Sequence, residues 1–392
     1  VRLSKAFASI LACVVLGTGQ AFAADPYEIN VILPLTGGGT FVGQEESGAL
    51  MALQDSVNKT GGIKGRPLKF VLSDDQTSPQ VALQLANGLI AKHVPIILGS
   101  SLVAACSAIA PLAKDGPLVY CMSPGYHPDD GTFVFSSNVS TRDLTTATIR
   151  WLRERGLHSI ALFTSTDASG QDAEKSFQAT FALPENRDIK LVDSEHFNPT
   201  DVSVSAQMAK VKSANPQVLI AWSSGTPVGT LLRGANEAGI DAPILTTTAN
   251  ATYAQMRQYA SFLPKDLLFP GIASLAQNVV TDSATLKAID SYTKALAADK
   301  LRPTYLATTA WDPAMILVAA LRKIGPDATP QQLRTYISGL KNFVGVNGPY
   351  DFVKYPQRGL GLEAAYVVRW DAAQGSWVGE SGPAGAPLRS SR

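Results

Sequence analysis

Glu28-Ile29-Asn30-Val31-Ile32-Leu33-Pro34-Leu35, followed by Thr36-Gly37-Gly38-Gly39, is the stretch on which the fold turns. The β-branched and apolar residues of 28–35 read as a strand, and the glycines close it with a loop. Over 48–58 apolar side chains recur at helical spacing until Gly61-Gly62 stops them. A strand that passes through a tight loop into a helix is the opening of a parallel α/β unit.

Outward from that unit the alternation continues. Strands are expected at 68–72, 94–98 and 118–122, with helices at 79–92 and 104–113 between them. The pattern then restarts with helix 141–155, strand 159–164, helix 171–181, strand 189–192 and helix 204–213. Strand 218–222, helix 228–238 and a short strand at 243–245 complete this second unit. Two consecutive units of similar size predict two lobes, and no repeat of 20–50 residues is present. The remainder forms no third unit. A strand is expected at 267–273 and helices at 284–298, 305–324 and 330–340. Strands at 364–370 and 376–378 flank Asp371-Ala372-Ala373-Gln374-Gly375, a hairpin signal. Residues 379–392, rich in Gly, Pro and Ser, are expected to form a frayed tail.

A chain of 392 residues exceeds one core of ordinary size. With 45% hydrophobic and 17% charged residues it has a globular balance, and its formal charge of +1 offers no basic surplus for nucleic acid. Arg2 and Lys5 precede an apolar run over 6–17 and then Ala21-Phe22-Ala23, the pattern of an export signal cleaved after Ala23. A retained anchor and a lipoprotein signal, from the lipobox-like Ile10-Leu11-Ala12-Cys13, are the competing readings. Cleavage leaves 31 basic against 32 acidic residues, a charge of about −1. Cys106 and Cys121 then remain, either paired or as two buried thiols. His93, His127, His158 and His196 are scattered, with no zinc-ligand spacing.

Chemical motifs are sparse. After Gly37 and Gly39 a dinucleotide fingerprint needs its third glycine at Val42, but the glycine is Gly43. No Gly-x-Ser-x-Gly turn occurs, and Ser223-Ser224-Gly225 lacks the leading glycine. Asp74-Asp75 reads as a polar pair capping the helix after Pro79. Small polar residues do recur just past strand ends: Gly99-Ser100-Ser101, Ser123-Pro124-Gly125, Asp167-Ala168-Ser169-Gly170, Ser223-Ser224-Gly225 and Thr246-Thr247-Thr248. Each alone reads as a helix cap. Five together, from two units, point to an anion-binding crevice along the sheet edges.

One ordered series goes further: Leu35-Thr36-Gly37 with Gly43; Gly61-Gly62-Ile63-Lys64-Gly65-Arg66-Pro67-Leu68; Asp74-Asp75 with Pro79; Leu98-Gly99-Ser100; Ser123-Pro124; Ser169-Gly170; and Gly239-Ile240 before Pro243-Ile244. Over 28–377 this series resembles the type I periplasmic binding proteins of the leucine/isoleucine/valine class, which serve ABC importers. The resemblance implies two doubly wound parallel-sheet lobes joined by three crossing strands. Lobe 1 would comprise 26–142 and 275–346, and lobe 2 would comprise 143–274 and 347–392. It further implies a periplasmic monomer without cofactor or catalysis, partnered by inner-membrane permease subunits and closing on a small molecule.

Departures from that family bear on the ligand. Where members binding aliphatic amino acids use a first-lobe serine, this chain has Val103-Ala104-Ala105, which leaves Ser100 and Ser101 as the nearest hydroxyls. Gly125-Tyr126-His127 replaces small residues, and Ser169 stands where a tyrosine is usual. Thr246-Thr247-Thr248-Ala249-Asn250 replaces the acid that pairs with an ammonium. An aromatic carboxylate is therefore expected over a branched-chain amino acid, with Phe41, Tyr126 and Trp222 as aromatic faces. The expected contacts are Phe41, Ser100, Ser101, Ala104, Gly125, Tyr126, His127, Ser169, Ser223 and Thr247. The alternatives are an amino-acid-binding transport protein and a ligand-sensing receptor domain of the same fold.

Overall fold

The computed structural model describes residues 25–388. The export signal with its cleavage point at Ala23, and Cys13, lie outside the described residues. The first unit runs β1 (Tyr27–Leu33), α1 (Thr40–Lys59), β2 (Leu68–Asp74), α2 (Pro79–Ala91), β3 (Ile96–Gly99), α3 (Val103–Ile109), β4 (Leu118–Cys121) and β5 (Val134–Ser136). Its five strands form one parallel sheet in the order β2-β1-β3-β4-β5. β3 and β4 are buried along their whole length, as strands covered by helices on both faces must be.

The second unit runs α4 (Thr141–Glu154), β6 (Ser159–Ser165), α5 (Ala168–Phe181), β7 (Lys190–Phe197), α6 (Ser205–Ala214), β8 (Val218–Trp222), α7 (Val228–Ala238), β9 (Ile244–Leu245), α8 (Tyr253–Gln258) and β10 (Leu267–Gly271). These five strands are also parallel, and taking β6 as the first they repeat the order of the other sheet. Next come α9 (Ser283–Ala298), α10 (Tyr305–Ile324), α11 (Pro330–Ser338) and the hairpin of β11 (Lys341–Gly345) and β12 (Gly348–Asp351). α9 and α10 pack on α1, against the first sheet. The expected terminal hairpin, β13 (Tyr366–Asp371) and β14 (Ser376–Gly379), extends the second sheet antiparallel from β10. The chain therefore passes between the two sheets three times.

Arg358 ties two of these passages together. Its guanidinium is buried and donates to the carbonyls of Ser137 (3.0 Å), Asn138 (3.1 Å) and Tyr126 (2.6 Å). Burial lowers its pKa to about 10, which still leaves it charged at neutral pH. A buried cation is tolerated because its donors are satisfied.

Several expectations need correction. α1 begins at Thr40 and not at 48, because Gly43 and Gly48 interrupt the apolar pattern. Gly43 is a close-approach glycine: a Cβ there would lie 2.3 Å from the Pro34 carbonyl oxygen. β5, β11 and β12 were not expected; they are three to five residues long, too short for a periodicity to show. Residues 379–388 are not frayed. Ser381 is buried and its Oγ accepts from the Val367 N–H at 2.8 Å, while Gly385 packs against α4. Asp74-Asp75 does not cap the helix after Pro79. Ser78 does that, and Asp74 instead accepts from the N–H groups of Leu35 and Thr36. Cys106 and Cys121 form a disulfide between α3 and β4, with Cα atoms 6.0 Å apart.

Candidate ligand-binding site

In an open sheet with this strand order, the loops after the first and third strands diverge to opposite faces and leave a crevice at the carboxyl edge. Here two such crevices face each other. A cavity of about 290 Å³ lies between them. The first sheet contributes Gly38 and Gly39 after β1, Thr77 after β2, Ser101 after β3 and Ser123 after β4. The second contributes Asp167 after β6, Ser224 and Gly225 after β8, and Thr247 after β9. Tyr305, Leu306 and Thr309 of α10 complete the wall, which is mainly apolar through Val42, Leu102, Met122 and Trp222. A second cavity of about 420 Å³, lined by Asp282, Lys354 and Glu363 among others, is larger but sits away from these sheet edges.

Of the expected contacts, Ser101, Ala104, Gly125, Ser169 and Thr247 line the first cavity. Phe41, Ser100, Tyr126, His127 and Ser223 do not. Ser100 is buried and its Oγ donates to Asp75 Oδ2 at 2.6 Å. Ser223 is buried with its carbonyl accepting from Asn250 Nδ2 at 2.7 Å. Tyr126 packs on the core between the first sheet and α2 and α3. The aromatic faces on the cavity are Trp222, held edge-on to Phe177 at 5.5 Å, and Tyr305.

The Thr246–Asn250 stretch supports rather than lines most of the wall. Asn250 Oδ1 accepts from the Gly225 N–H at 3.0 Å, and Gln255 Nε2 donates to the Gly225 carbonyl at 3.0 Å. These bonds set the loop whose Ser224 hydroxyl meets Ser169 Oγ at 2.9 Å.

Three acids at the site were not among the expected contacts, although Asp167 stood in one of the strand-end clusters. Asp167 caps α5, its Oδ1 accepting from the Gly170 N–H at 3.0 Å and from Ser165 Oγ at 2.8 Å. Asp172, one turn into α5, also lines the cavity and pairs through Oδ1 with His127 Nε2 at 2.9 Å. No acid stands at Thr246–Asn250, but Asp172 brings a carboxylate to the cavity from α5. On α5 nothing in the local pattern separates Asp172 from a solvated helix position. The third acid, Glu46 on α1, is fully buried beneath Ser101 and Thr309, which both hydrogen-bond to it. Burial, only partly offset by those bonds and reinforced by the charge of Asp75, raises its pKa to about 8. A signal for it existed: the buried positions Val42, Glu46, Leu50, Leu53 and Val57 form one helical stripe.

Among the described residues no helix is long and apolar enough to cross a membrane. No group of three or more His, Cys, Asp or Glu is placed to hold a metal among them.

Two sheets of one strand order, closing a cavity between their carboxyl edges, define a two-lobed ligand-binding protein. The chain belongs to the periplasmic binding protein family, whose pattern it matches over residues 26–376. It is 26% identical over 261 residues to the leucine-, isoleucine-, valine-, threonine- and alanine-binding protein of Pseudomonas aeruginosa, a match covering 62% of this chain and 65% of that one. It is 25% identical over 247 residues to a Leu/Ile/Val-binding protein homologue of Brucella melitensis, covering 62% and 66%. The chain thus spans just under two thirds of the length of these relatives. Solved structures share the fold. An extracellular ligand-binding receptor from Rhodopseudomonas palustris superposes with a TM-score of 0.80 at 21% identity, covering 91% of this chain and 99% of that one. A solute-binding protein of an ABC transporter from the same species, in complex with benzoate, gives 0.74 at 19%, covering 93% and 97%. A branched-chain amino acid transporter substrate-binding protein from Streptococcus pneumoniae, in complex with isoleucine, gives 0.75 at 17%, covering 91% and 99%.

Proposed function

We propose that this chain is the exported, periplasmic binding protein of an ABC importer. It captures an aromatic carboxylate between its lobes, performs no chemistry on it, and presents it as a monomer to membrane permease subunits. The lobes are taken as 26–142 with 275–346 and 143–274 with 347–392. The observation that carries the reading is the cavity at the two facing sheet edges: apolar walls, a few hydroxyls and the Trp222 face suit a flat ring bearing one polar group. The benzoate bound by one neighbour of the same fold supports it.

An amino acid is the second reading. Asp172 favours it, because one carboxylate oxygen beyond the His127 pair is free to meet an ammonium. The binding specificities in the names of the curated relatives agree with that reading.

Thermal-shift screening of the mature chain separates the two. A rise in melting temperature with benzoate or hydroxycinnamates and none with leucine, isoleucine or valine is expected. The reverse pattern selects the amino acid and overturns the aromatic preference.

A further inference from the structure

Among the described residues no Lys, Arg or His lines the ligand cavity, yet Asp167 and Asp172 both do. Asp167 is engaged with its own helix, through the Gly170 N–H and Ser165 Oγ. Asp172 has an oxygen to spare. Its Oδ1 is paired with His127 Nε2, and its Oδ2 has no hydrogen-bond partner among the described residues.

Thr141, the first residue of α4, lines the cavity at the same place. Farther along that helix Thr145, Thr146 and Thr148 each turn their hydroxyl back to a carbonyl one turn earlier. Thr141 does not, and its Oγ1 has no partner among the described residues. The carbonyl four residues before it, that of Ser137, is already taken by Arg358.

Gly125 clears the space between the two. A Cβ on Gly125 would lie 2.8 Å from Asp172 Oδ2 and 3.4 Å from Thr141 Oγ1. Gly125 is not among the residues of positive φ, so the glycine supplies room here and not backbone freedom. A spare acceptor, a spare hydroxyl and an opened gap thus converge from three separate segments. A bare ring edge shut against Asp172 would strand a desolvated carboxylate oxygen without a donor, which is costly. A hydroxyl on the ligand answers both groups, with one hydrogen for Asp172 Oδ2 and lone pairs for the Thr141 hydroxyl.

We propose that Asp172 and Thr141 form a polar subsite that selects an aromatic acid bearing a ring hydroxyl. The ligand's own carboxylate lies at the far end, on the first-sheet hydroxyls, where it escapes the like charge of α5. The proposal rests on the aromatic-carboxylate reading above and adds to it the group on the ring.

Calorimetric titration comparing benzoate with 3- and 4-hydroxybenzoate and with their methyl ethers tests it. At least one hydroxy acid is expected to bind about ten- to a hundredfold more tightly than benzoate, the range of a hydrogen bond to a charged group. Its methyl ether, which has no hydrogen to give, should lose that gain. In Asp172→Ala the gain should vanish, and in Thr141→Val, which removes only the hydroxyl, it should shrink severalfold. His127→Ala breaks the same pair but keeps Asp172 Oδ2, so both acids should weaken there while their ratio holds. A ratio lost equally in His127→Ala and Asp172→Ala places the effect in lobe closure and overturns the proposal. An undiminished ratio in Asp172→Ala overturns it as well. Equal Kd values for benzoate and both hydroxy acids in the wild type overturn the subsite and leave the aromatic reading standing. Binding of leucine with no binding of any aromatic acid overturns the reading and the subsite together.

Discussion

His127 Nε2 sits 2.9 Å from Asp172 Oδ1, and the two residues come from opposite sides of the cavity: a loop after β4 and the helix after β6. The pair bridges the two sides, with both side chains mostly buried, and would act as a latch between them. Asp172 Oδ2 also overhangs Gly125, at 2.8 Å from the position a Cβ would take there. The two sides of the cavity therefore meet here through a polar contact.

His127→Ala is expected to shift the ligand-free protein toward an open form and to weaken ligand binding roughly fivefold, about 1 kcal/mol for a partly exposed charge-assisted bond. Small-angle scattering checks it: the radius of gyration rises without ligand and returns to the wild-type value at saturation. Equal radii in both proteins without ligand rule the latch out.

Adjacent serines should behave differently. Ser100 is buried on Asp75, and Ser101 lines the cavity. Ser100→Ala strands a buried carboxylate oxygen, so it should cost about 1–3 kcal/mol of stability in denaturant unfolding. Ser101→Ala should lower affinity for an acid about tenfold, read by calorimetry, with a smaller loss of stability.

Glu46 also predicts a pH dependence of stability. Its folded pKa, about 8, lies above its ordinary value of 4.5, so the folded chain holds the proton more tightly than the unfolded one. Its contribution is complete below about pH 4.5, declines through the interval, and is gone once the pH passes 8. Asp75 and Asp312 are shifted in the same direction by burial, so the comparison must be made within a pair of proteins. The melting temperature of wild type should fall more between pH 5 and pH 8.5 than that of Glu46→Gln. Parallel curves would contradict this.

The Cys106–Cys121 bond closes a loop with a sequence separation of 15. Replacing both with serine should cost about 2–3 kcal/mol by chain entropy. Guanidinium unfolding of the oxidised protein, the reduced protein and the double variant measures it, the last two being expected to coincide.

Much of the fold was legible because buried parallel strands announce themselves. Runs such as Ile96-Ile97-Leu98 and Val218-Leu219-Ile220 are apolar on both faces, and helices of six to fourteen residues separate successive strands from β2 to β4 and from β6 to β10. β5 and β12 were not legible, since at three and four residues they are too short to show an alternation. Part of the cavity lining followed from one rule, that ligands meet sheets at their carboxyl edges, which pointed to Ser101, Gly125, Ser169 and Thr247. The rule could not tell Ser100 from Ser101, because consecutive residues leaving a strand point to opposite sides and only the packing of Asp75 shows which one faces inward. Asp172 and Glu46 lie within helices, where an acid reads as solvated unless the apolar stripe on either side of it is traced through its position.

The most direct measurement of the central claim is calorimetric titration of the mature chain with benzoate and with leucine, alongside Ser101→Ala. Saturable binding of one carboxylate per chain, weakened about tenfold by the serine change, is the predicted result. Absence of heat with both ligands and with a panel of other small acids, in a protein that unfolds cooperatively, would contradict it.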